Sequence, residues 1–353
     1  MMLDELVKEL NKKKKYNLIN DGNLEIKVPK ISFISPFLNY MTHGGIPRGY
    51  ITEFSGEESS GKTTTALSIV ANAQKLFNYE FENGISKVKK YVLYVDCENT
   101  FNSSWARLLG VNIEDLKVLS PQEEYAEEIF EIILDFIHTG EIGLVILDSL
   151  GVMVSKQAFE KDIEQKTYGG ISMPLTLFSK KAIMSLKKFD CTLIGINQVR
   201  MDLASLYPGA MTTTGGKAWK HNCMLRLSFK KGHYINNKNE EISKSKASVP
   251  EGNIVEVVIE KSKSCKPDRR HGRYILNYTK GVDIITDIIY LCKLYNLIIQ
   301  KGSWFYFYDE NGEVANYDGQ TLSFQGEHKL YNFIEDHTEF YDSLVDSVKE
   351  LYV

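Results

Sequence analysis

A glycine-rich segment carries a lysine and a threonine at a spacing that suits phosphate binding. It matches the pattern G-x-x-x-x-G-K-[ST], and its residues are Gly56, Glu57, Glu58, Ser59, Ser60, Gly61, Lys62, Thr63 and Thr64. We predict a short buried strand before it, at residues 50–54, and a helix after it, at residues 65–76. This arrangement directs backbone N–H groups at a polyphosphate, with Lys62 on the terminal phosphates and the Thr63 hydroxyl on Mg²⁺. The segment therefore predicts a nucleoside triphosphate site rather than a glycine turn that binds nothing.

Polar residues stand at the ends of three further predicted strands, at residues 91–95, 143–147 and 192–196. Ligands of open α/β sheets bind beyond the carboxyl ends of the strands. Asp148 follows the second strand, where an aspartate either holds a water ligand of Mg²⁺ or caps the next helix. Asp96 and Glu98 follow the first, and a carboxylate there either activates an attacking water or is only structural. Gln198 follows the third, where an amide either senses a γ-phosphate or forms a polar cap.

The order of the predicted elements indicates an α/β fold. Helices at residues 122–139 and 175–188 separate near-continuous apolar strands, which is typical of a parallel sheet covered on both faces. Strands at residues 223–229, 253–260 and 274–278 follow without an intervening helix, so we expect an antiparallel extension of one edge. A helix at residues 1–16 and an alternating stretch at 24–28 predict a small N-terminal appendage. From residue 283, a helix, a hairpin around 309–312 and closing helices predict a small α+β C-terminal domain.

Length and composition indicate an ordinary globular protein. The chain has 353 residues, of which 43% are apolar and 25% charged, and its net charge is −4. The chain as a whole is not basic, so a nucleic acid would have to bind to a local positively charged patch. Five scattered cysteines without a C-x-x-C pair predict buried free thiols rather than a zinc site. No apolar run reaches the length of about 18 residues that a membrane span needs, and no signal peptide is visible, so we expect a soluble intracellular protein.

Four segments taken together resemble one protein family. They are the phosphate loop, Gly-Gly-Ile-Pro-Arg-Gly at 44–49, Ile-Asn-Gln-Val-Arg-Met at 196–201 and Thr-Thr-Thr-Gly-Gly at 212–216. Many families share a phosphate loop, whereas the last two segments in succession are far more specific. From about residue 35 to residue 304, the chain resembles the RecA family of homologous-recombination proteins, in its bacterial and phage branch.

The resemblance implies a RecA-type phosphate-loop ATPase core that binds ATP and Mg²⁺. It implies that Glu98 activates water and that Gln198 couples the γ-phosphate to the loop that follows it. Lys261 and Lys263 would reach the ATP of a neighbouring subunit, unless they form only a charged strand end. The implied catalytic residues are Lys62, Glu98, Gln198, Lys261 and Lys263. Outside the phosphate loop, the implied nucleotide-binding residues are Asn102, Trp105, Asp148 and Tyr278, and the implied Mg²⁺ ligands are Thr63 and Asp148.

Two loops are implied to line a filament axis and to bind single-stranded DNA. They cover residues 159–170 and 199–216, and the second is too apolar for an idle surface loop. Cations would neutralise phosphates, tyrosines would stack on bases, and glycines would let the backbone approach DNA. The implied DNA-binding residues are Tyr168, Gly169, Gly170, Lys180, Arg200, Met201, Tyr207, Thr214, Gly215, Gly216 and Lys217.

The implied function is that of a DNA-dependent ATPase that forms a helical filament on single-stranded DNA, pairs it with homologous duplex DNA and exchanges strands. Residues 1–31 would be an oligomerisation segment, residues 32–282 the ATPase core with the DNA-binding loops, and residues 283–353 the C-terminal domain. The resemblance also implies single-strand-binding and loader proteins as partners. It implies that the protein does not associate with a membrane and that it acts in the cytoplasm of a bacterial cell.

Two alternatives use the same phosphate loop. A ring-forming helicase or packaging motor is disfavoured by residues 212–216, and a non-catalytic DNA-coating or mediator protein is disfavoured by Glu98. The chain also departs from the family pattern, since it has Trp105 for a tyrosine, Asn102 where aspartate is frequent, and Lys220-His221 for an apolar interface residue. An insertion near residues 230–246 and the lack of an extended acidic tail fit a phage-encoded or remote member.

Overall fold

The computed structural model describes residues 3–14, 28–160, 170–201, 211–236, 241–243, 249–266 and 268–352. Among these, the helices are α1 (Leu3–Lys14), α2 (Pro36–Met41), α3 (Lys62–Glu82), α4 (Ser103–Leu108), α5 (Ala126–His138), α6 (Lys156–Phe159), α7 (Ser172–Phe189), α8 (Gly216–Asn222), α9 (Ile284–Leu294), α10 (Glu327–Asp336) and α11 (Thr338–Tyr352). The strands are β1 (Lys30–Ile31), β2 (Ile46–Pro47), β3 (Ile51–Gly56), β4 (Tyr91–Asp96), β5 (Leu116–Leu119), β6 (Ile142–Asp148), β7 (Thr192–Met201), β8 (Met211–Thr213), β9 (Leu225–Ile235), β10 (Glu241–Ile242), β11 (Gly252–Ser262), β12 (His271–Asn277), β13 (Gly281–Val282), β14 (Ile299–Lys301), β15 (Trp304–Tyr306), β16 (Asn316–Tyr317), β17 (Gln320–Thr321) and β18 (Ser323–Gln325). No helix within these ranges is long and apolar enough to cross a membrane.

One mixed sheet forms the centre of the molecule, with the strand order β13-β12-β11-β9-β3-β7-β6-β4-β5. Every neighbouring pair from β9 to β5 is parallel. The pairs β9–β11, β11–β12 and β12–β13 are antiparallel. This arrangement confirms the predicted α/β fold with a mostly parallel central sheet.

The antiparallel extension begins one strand later than the sequence predicted. Strand β9 was expected to belong to it, but β9 pairs with β3 in parallel. The reason lies in the short helix α8, which precedes β9 and which the sequence analysis did not identify. A helical crossover can return the chain so that the next strand runs parallel to its neighbour, whereas a hairpin cannot.

Helices cover both faces of this sheet, which explains the near-continuous apolar strands. All seven residues of β6 are buried. Helix α3 contributes Leu67 and Val70 to the apolar cluster on one face, and α5 and α7 contribute Ile133 and Leu186 to the cluster on the other. In α5, buried isoleucines recur at positions 129, 133 and 137, the spacing that keeps side chains on one side of a helix.

The chain after β13 forms a smaller α+β unit with its own apolar cluster, which includes Phe305, Phe324 and Phe340. Helix α9 packs with α10 and α11, and β14, β15 and β18 form a separate antiparallel sheet. Residues Tyr308 and Val314 form a bridge around the hairpin turn predicted at 309–312. This unit agrees with the predicted α+β character of the C-terminal region.

A buried carboxyl group connects the C-terminal unit to the core. Asp287, on α9, accepts a hydrogen bond from the hydroxyl of Ser35, the N-cap residue of α2, and another from the Phe37 N–H at 3.4 Å. Burial raises the pKa of Asp287 to about 8, and the hydrogen bonds only partly oppose that shift. The carboxyl group therefore joins α2 and α9, and its buried position favours the protonated form.

The N-terminal appendage is described in part. Helix α1 occupies most of the predicted helix, while the strand expected at residues 24–28 lies outside the described residues except for Val28. Strand β1 pairs with β2 in antiparallel register. The domain boundaries after residues 31 and 282 stay predictions.

Candidate nucleotide-binding site

The phosphate loop connects β3 to α3 at the carboxyl edge of the parallel strands. Strand β3 ends at Gly56, and α3 begins at Lys62 with Gly61 as its N-cap residue. Gly61 has a φ of +90°, and a Cβ atom there would lie 3.0 Å from Val255 Cγ2, so the position requires glycine. Residues 59–64 line a cavity of about 570 Å³. The cavity thus adjoins the start of a long helix, where free backbone N–H groups favour anions.

Lys62 lies within this loop rather than on the surface. Its Nζ donates to the carbonyl oxygens of Gly56 at 3.0 Å and Glu57 at 2.5 Å. Burial lowers the pKa of Lys62, and the carboxylates of Asp148 and Glu98 act against that shift. An anionic ligand beside the ammonium group would favour its charged form further, so the environment suits a polyphosphate.

Thr63 and Asp148 provide the oxygens that could hold a metal ion. The Thr63 hydroxyl donates to Asp148 Oδ2 at 2.9 Å, and the Tyr94 hydroxyl donates to the same oxygen at 2.7 Å. Burial raises the pKa of Asp148, and these hydrogen bonds act in the opposite direction. In the described ranges, no group of three or more His, Cys, Asp or Glu side chains could hold a metal. The pair nevertheless fits Mg²⁺, which is usually held by one or two side chains together with nucleotide phosphates and water.

Glu98 lies between the ends of two neighbouring strands. Its Oε1 accepts hydrogen bonds from the Ser149 hydroxyl at 2.5 Å and from Gln198 Nε2 at 3.2 Å. Asp96 differs, because its carboxylate accepts two backbone N–H groups of the turn that follows β4. The two carboxylates at the end of β4 therefore have different roles: Asp96 shapes the turn that follows the strand, and Glu98 contacts Gln198, the residue predicted to sense the γ-phosphate.

Two of the predicted nucleotide-binding residues, Trp105 and Tyr278, line the same cavity as the phosphate loop. The Trp105 ring N–H donates to Thr64 Oγ1 at 3.4 Å, which holds the indole beside the loop. Asn102 is the N-cap residue of α4, and its Oδ1 accepts the Trp105 backbone N–H at 2.9 Å. The structure thus gives Asn102 a capping role that positions Trp105.

The antiparallel strands supply a wall of the cavity that the sequence analysis did not predict. Its residues are Lys231, Tyr234, Pro250, Asn253 and Leu276. The Tyr278 hydroxyl donates to Asn253 Oδ1 at 2.9 Å, so this wall is joined to a predicted nucleotide-binding residue. Two of these residues, Lys231 and Tyr234, belong to the insertion near residues 230–246, for which the family resemblance provided no role.

A buried ionic network lies below the site. Glu53, on β3, is fully buried and pairs with the Arg226 guanidinium on β9. Its Oε1 also accepts hydrogen bonds from Asn197 Nδ2 and Trp219 Nε1, both at 2.9 Å. Asn197 Nδ2 donates in addition to the Thr214 carbonyl oxygen at 2.8 Å. Glu53 therefore joins the strand that carries Gln198 to the end of the second predicted DNA-binding loop.

Lys261 and Lys263 do not line the cavity within the described part of the chain. Lys261 Nζ donates to the carbonyl oxygens of Lys220 at 2.8 Å and His221 at 2.7 Å, at the C-terminal end of α8. A cation at a helix C-terminus is favoured by the helix dipole. Burial and the nearby Lys263 ammonium lower the pKa of Lys261. In its own subunit, Lys261 is thus a helix-capping residue.

The predicted DNA-binding residues are described in part, because Tyr168, Gly169 and Tyr207 lie outside the described residues. Gly170, Lys180, Met201, Gly216 and Lys217 are exposed. Arg200 is also exposed, and its guanidinium donates to the Gly151 carbonyl oxygen at 2.8 Å.

Contacts within the protein itself explain why residue 215 is a glycine. It has a φ of +102°, and a Cβ atom there would lie 2.5 Å from Leu175 Cδ2. Glycine at position 215 is therefore required by packing against α7 and by backbone conformation, whether or not DNA approaches it.

Tyr94 and Ser149 are site residues that sequence reasoning missed. Tyr94 lies in the strand at residues 91–95, which the sequence predicts only as an apolar run, and Ser149 directly follows the predicted strand-end residue Asp148. Both contacts depend on the parallel pairing of β4 with β6, in which Asp96 lies opposite Asp148. A polar residue directly after a strand-end aspartate was the one signal available for Ser149.

The mostly parallel sheet, the phosphate loop and the Thr63–Asp148 pair define a phosphate-loop nucleotide-binding protein of the α/β class. The family model described as the RecA N-terminal domain matches residues 2–283. The chain belongs to the RecA family, as its sequence motifs indicated.

Relatives agree with this placement, and a solved structure agrees with the fold. Protein RecA of Leptospira biflexa is 28% identical over 335 residues, covering 95% of this chain and 75% of that protein. Protein RecA of Thermotoga petrophila is 28% identical over 88% of this chain and 78% of its own length. Protein RecA of Fusobacterium nucleatum is 32% identical over 76% of this chain and 65% of its own length. The crystal structure of the RadB recombinase is similar in fold, with a TM-score of 0.50, 19% identity, and coverage of 70% of this chain and 96% of that one.

Proposed function

We propose that this chain is a DNA-dependent ATPase that forms a helical filament on single-stranded DNA and catalyses homologous pairing and strand exchange with duplex DNA. Family membership supports the class of protein, and the phosphate loop supports the use of ATP with Mg²⁺. The observation that carries the proposal is the 3.2 Å hydrogen bond from Gln198 to Glu98. It connects the candidate catalytic base to the strand that leads into the second predicted DNA-binding loop.

Each residue of the site has a defined task in the proposed hydrolysis. Lys62 stabilises negative charge on the terminal phosphates, and Thr63 and Asp148 hold Mg²⁺, which when bound neutralises charge on the phosphate oxygens. Glu98 accepts a proton from the water that attacks the γ-phosphate. Ser149 holds the Glu98 carboxylate in place through its hydroxyl group.

Gln198 couples this reaction to DNA in the proposed mechanism. Strand β7 carries Gln198 and continues to Arg200 and Met201, whose side chains are exposed. An amide drawn to a γ-phosphate would leave Glu98 and reposition the residues that follow. ATP would then favour the DNA-binding arrangement because it binds that arrangement more tightly, and hydrolysis would release it.

Assembly completes the proposed site. Lys261 and Lys263 of an adjacent subunit would stabilise charge on the γ-phosphate, so hydrolysis would depend on the filament. Single-strand-binding and loader proteins are proposed as further partners. The bacterial origin of the relatives supports a role in the cytoplasm of a bacterial or phage-infected cell.

The test compares Lys62→Ala with Lys75→Ala. Both lysines lie on α3, but Lys75 is exposed and lies away from the loop, so it controls for loss of a positive charge on that helix. Phosphate release is measured with and without single-stranded DNA, together with strand exchange and negative-stain imaging. We expect Lys62→Ala to lose DNA-stimulated turnover by at least about a hundredfold, as when a group that stabilises transition-state charge is removed. Lys75→Ala should behave as the wild type.

Three results would contradict the proposal. Robust ATP-dependent strand exchange by Lys62→Ala would remove the phosphate loop from the mechanism. Closed rings instead of long filaments would favour a ring-forming motor. Phosphate release that single-stranded DNA does not stimulate would favour a protein that uses ATP only as an assembly signal.

A further inference from the structure

The wall of the cavity that the antiparallel strands supply contains a lysine, Lys231. It lies on β9, and the phosphate loop lines the same cavity of about 570 Å³. The loop itself contributes Lys62, so the cavity has two lysines from one chain. The second belongs to the insertion that distinguishes this chain from the family pattern.

Strand pairing places Lys231 on the sheet face next to the phosphate loop. Lys231 lies opposite Val255 of β11, and residues opposite each other share a face. Val255 is the residue whose methyl group would lie 3.0 Å from a Cβ atom at Gly61. Lys230 lies opposite Glu256 and is exposed, so it points to the other face of the sheet. Two adjacent lysines are thus directed to opposite sides.

A β-bulge adds Tyr234 to the same wall. The register shifts between Asn253 and Val255, which pair with Tyr234 and Lys231 respectively. Simple alternation would send residues three apart to opposite faces, and the extra residue of a bulge corrects this. The bulge therefore brings Lys231, Tyr234 and Asn253 to one cavity.

The Lys231 ammonium group lies near two tyrosine rings. Its Nζ lies 4.7 Å from the centre of the Tyr234 ring and 6.0 Å from that of Tyr278. Partial burial acts to lower the pKa of Lys231, but hydrogen bonds and charge interactions with these tyrosines raise it overall. The side chain is therefore a cation at neutral pH, and the rings restrict where it can lie.

We propose that Lys231 binds the polyphosphate chain of the nucleotide from within the same subunit, as a second cation opposite Lys62. This inference rests on the proposed function, because it takes a nucleoside triphosphate as the ligand of the cavity. It goes beyond that function by assigning the insertion a role: the insertion strengthens nucleotide binding before any neighbouring subunit contributes its lysines.

The test compares Lys231→Met with Lys230→Met, which removes the same charge from the opposite face of the strand. A fluorescent ATP analogue is bound to dilute protein without DNA and then displaced by ATP, ADP or adenosine. For Lys231→Met we expect ATP affinity to fall by about tenfold, the usual effect of losing one charge-assisted hydrogen bond. Adenosine affinity should be unchanged, and Lys231→Arg should retain ATP affinity. Lys230→Met should stay within about twofold of the wild type.

Each contrary result is distinct. An equal loss of adenosine affinity would show that Lys231 acts on the base through Tyr278, which overturns the inference. Unchanged ATP affinity in a folded Lys231→Met protein, checked by circular dichroism, would also overturn it while leaving the proposed function in place. A wild-type protein that binds no ATP would refute the proposed function and the inference with it.

Discussion

Removing Arg226 should destabilise the protein strongly, because it would leave the buried Glu53 carboxylate without its counterion. The Glu53 side chain is fully buried, and the Arg226 side chain is 15% exposed. Breaking a buried ion pair by removing one partner typically costs about 3–5 kcal/mol, since the remaining charge stays away from water. The hydrogen bonds that Glu53 accepts from Asn197 and Trp219 would offset only part of that cost. We therefore expect Arg226→Met to lower the free energy of unfolding by about 3 kcal/mol.

A double variant distinguishes two causes of the lost stability: the unpaired buried charge of Glu53 and the lost packing of the Arg226 side chain. In the double variant Glu53→Gln/Arg226→Met no charge is left, and the Gln carbonyl oxygen can still accept from Asn197 or Trp219. It should recover about half of the lost stability, because a neutral amide needs far less hydration than a carboxylate. Arg273→Met is the control, since Arg273 pairs with Glu241 while the two side chains are 62% and 48% exposed.

Urea unfolding followed by circular dichroism measures these differences, with the midpoint and slope compared across all variants. The exposed-pair control should be close to wild type, as surface ion pairs contribute little. A loss below about 1 kcal/mol for Arg226→Met, or a double variant no more stable than the single one, would refute the reasoning about an isolated buried charge.

Two further predictions concern positioning and pH. Ser149→Ala should reduce kcat for ATP hydrolysis by about tenfold with little change in KM, because Ser149 holds Glu98 and does not line the nucleotide cavity in the described part of the chain. Steady-state phosphate release checks this, Ser149→Thr should retain most of the rate, and an effect on KM alone would contradict it. The stability of Asp287→Asn relative to the wild type should increase as pH rises. Burial raises the pKa of Asp287 from 3.8 to about 8, so the wild type loses stability between these two pH values, whereas the asparagine variant does not titrate there. Urea unfolding at pH values of about 5, 7 and 9 should show the difference growing by at most about 1.4 kcal/mol per pH unit and levelling off above 8, and a constant difference would count against it.

The sequence predicted those parts of the fold that are encoded locally. Strands β4 and β6 are apolar runs because both of their faces are covered, and the phosphate loop follows from its own glycine and lysine spacing. Strand β5 was missed, because only Leu116 among its four residues is buried and its pattern is weak.

Contacts between distant segments could not be predicted from one chain. The Ser149–Glu98 and Tyr94–Asp148 hydrogen bonds depend on the register of β4 against β6, which neither strand reveals alone. Lys231 faces the cavity because β9 extends into the insertion and a bulge sets its register against β11. From the sequence, that segment was identified only as an insertion near residues 230–246.

The capping of α8 by Lys261 has a consequence for how activity would start. In its own subunit, the Lys261 ammonium group already donates to two carbonyl oxygens. To bind the nucleotide of a neighbouring subunit, as proposed, it would have to exchange these two hydrogen bonds for contacts with phosphate. In the proposed mechanism, a lone protomer would therefore hydrolyse little ATP, because no neighbour supplies Lys261 to its nucleotide. A reserve of unassembled molecules would accordingly cost a cell almost no nucleotide.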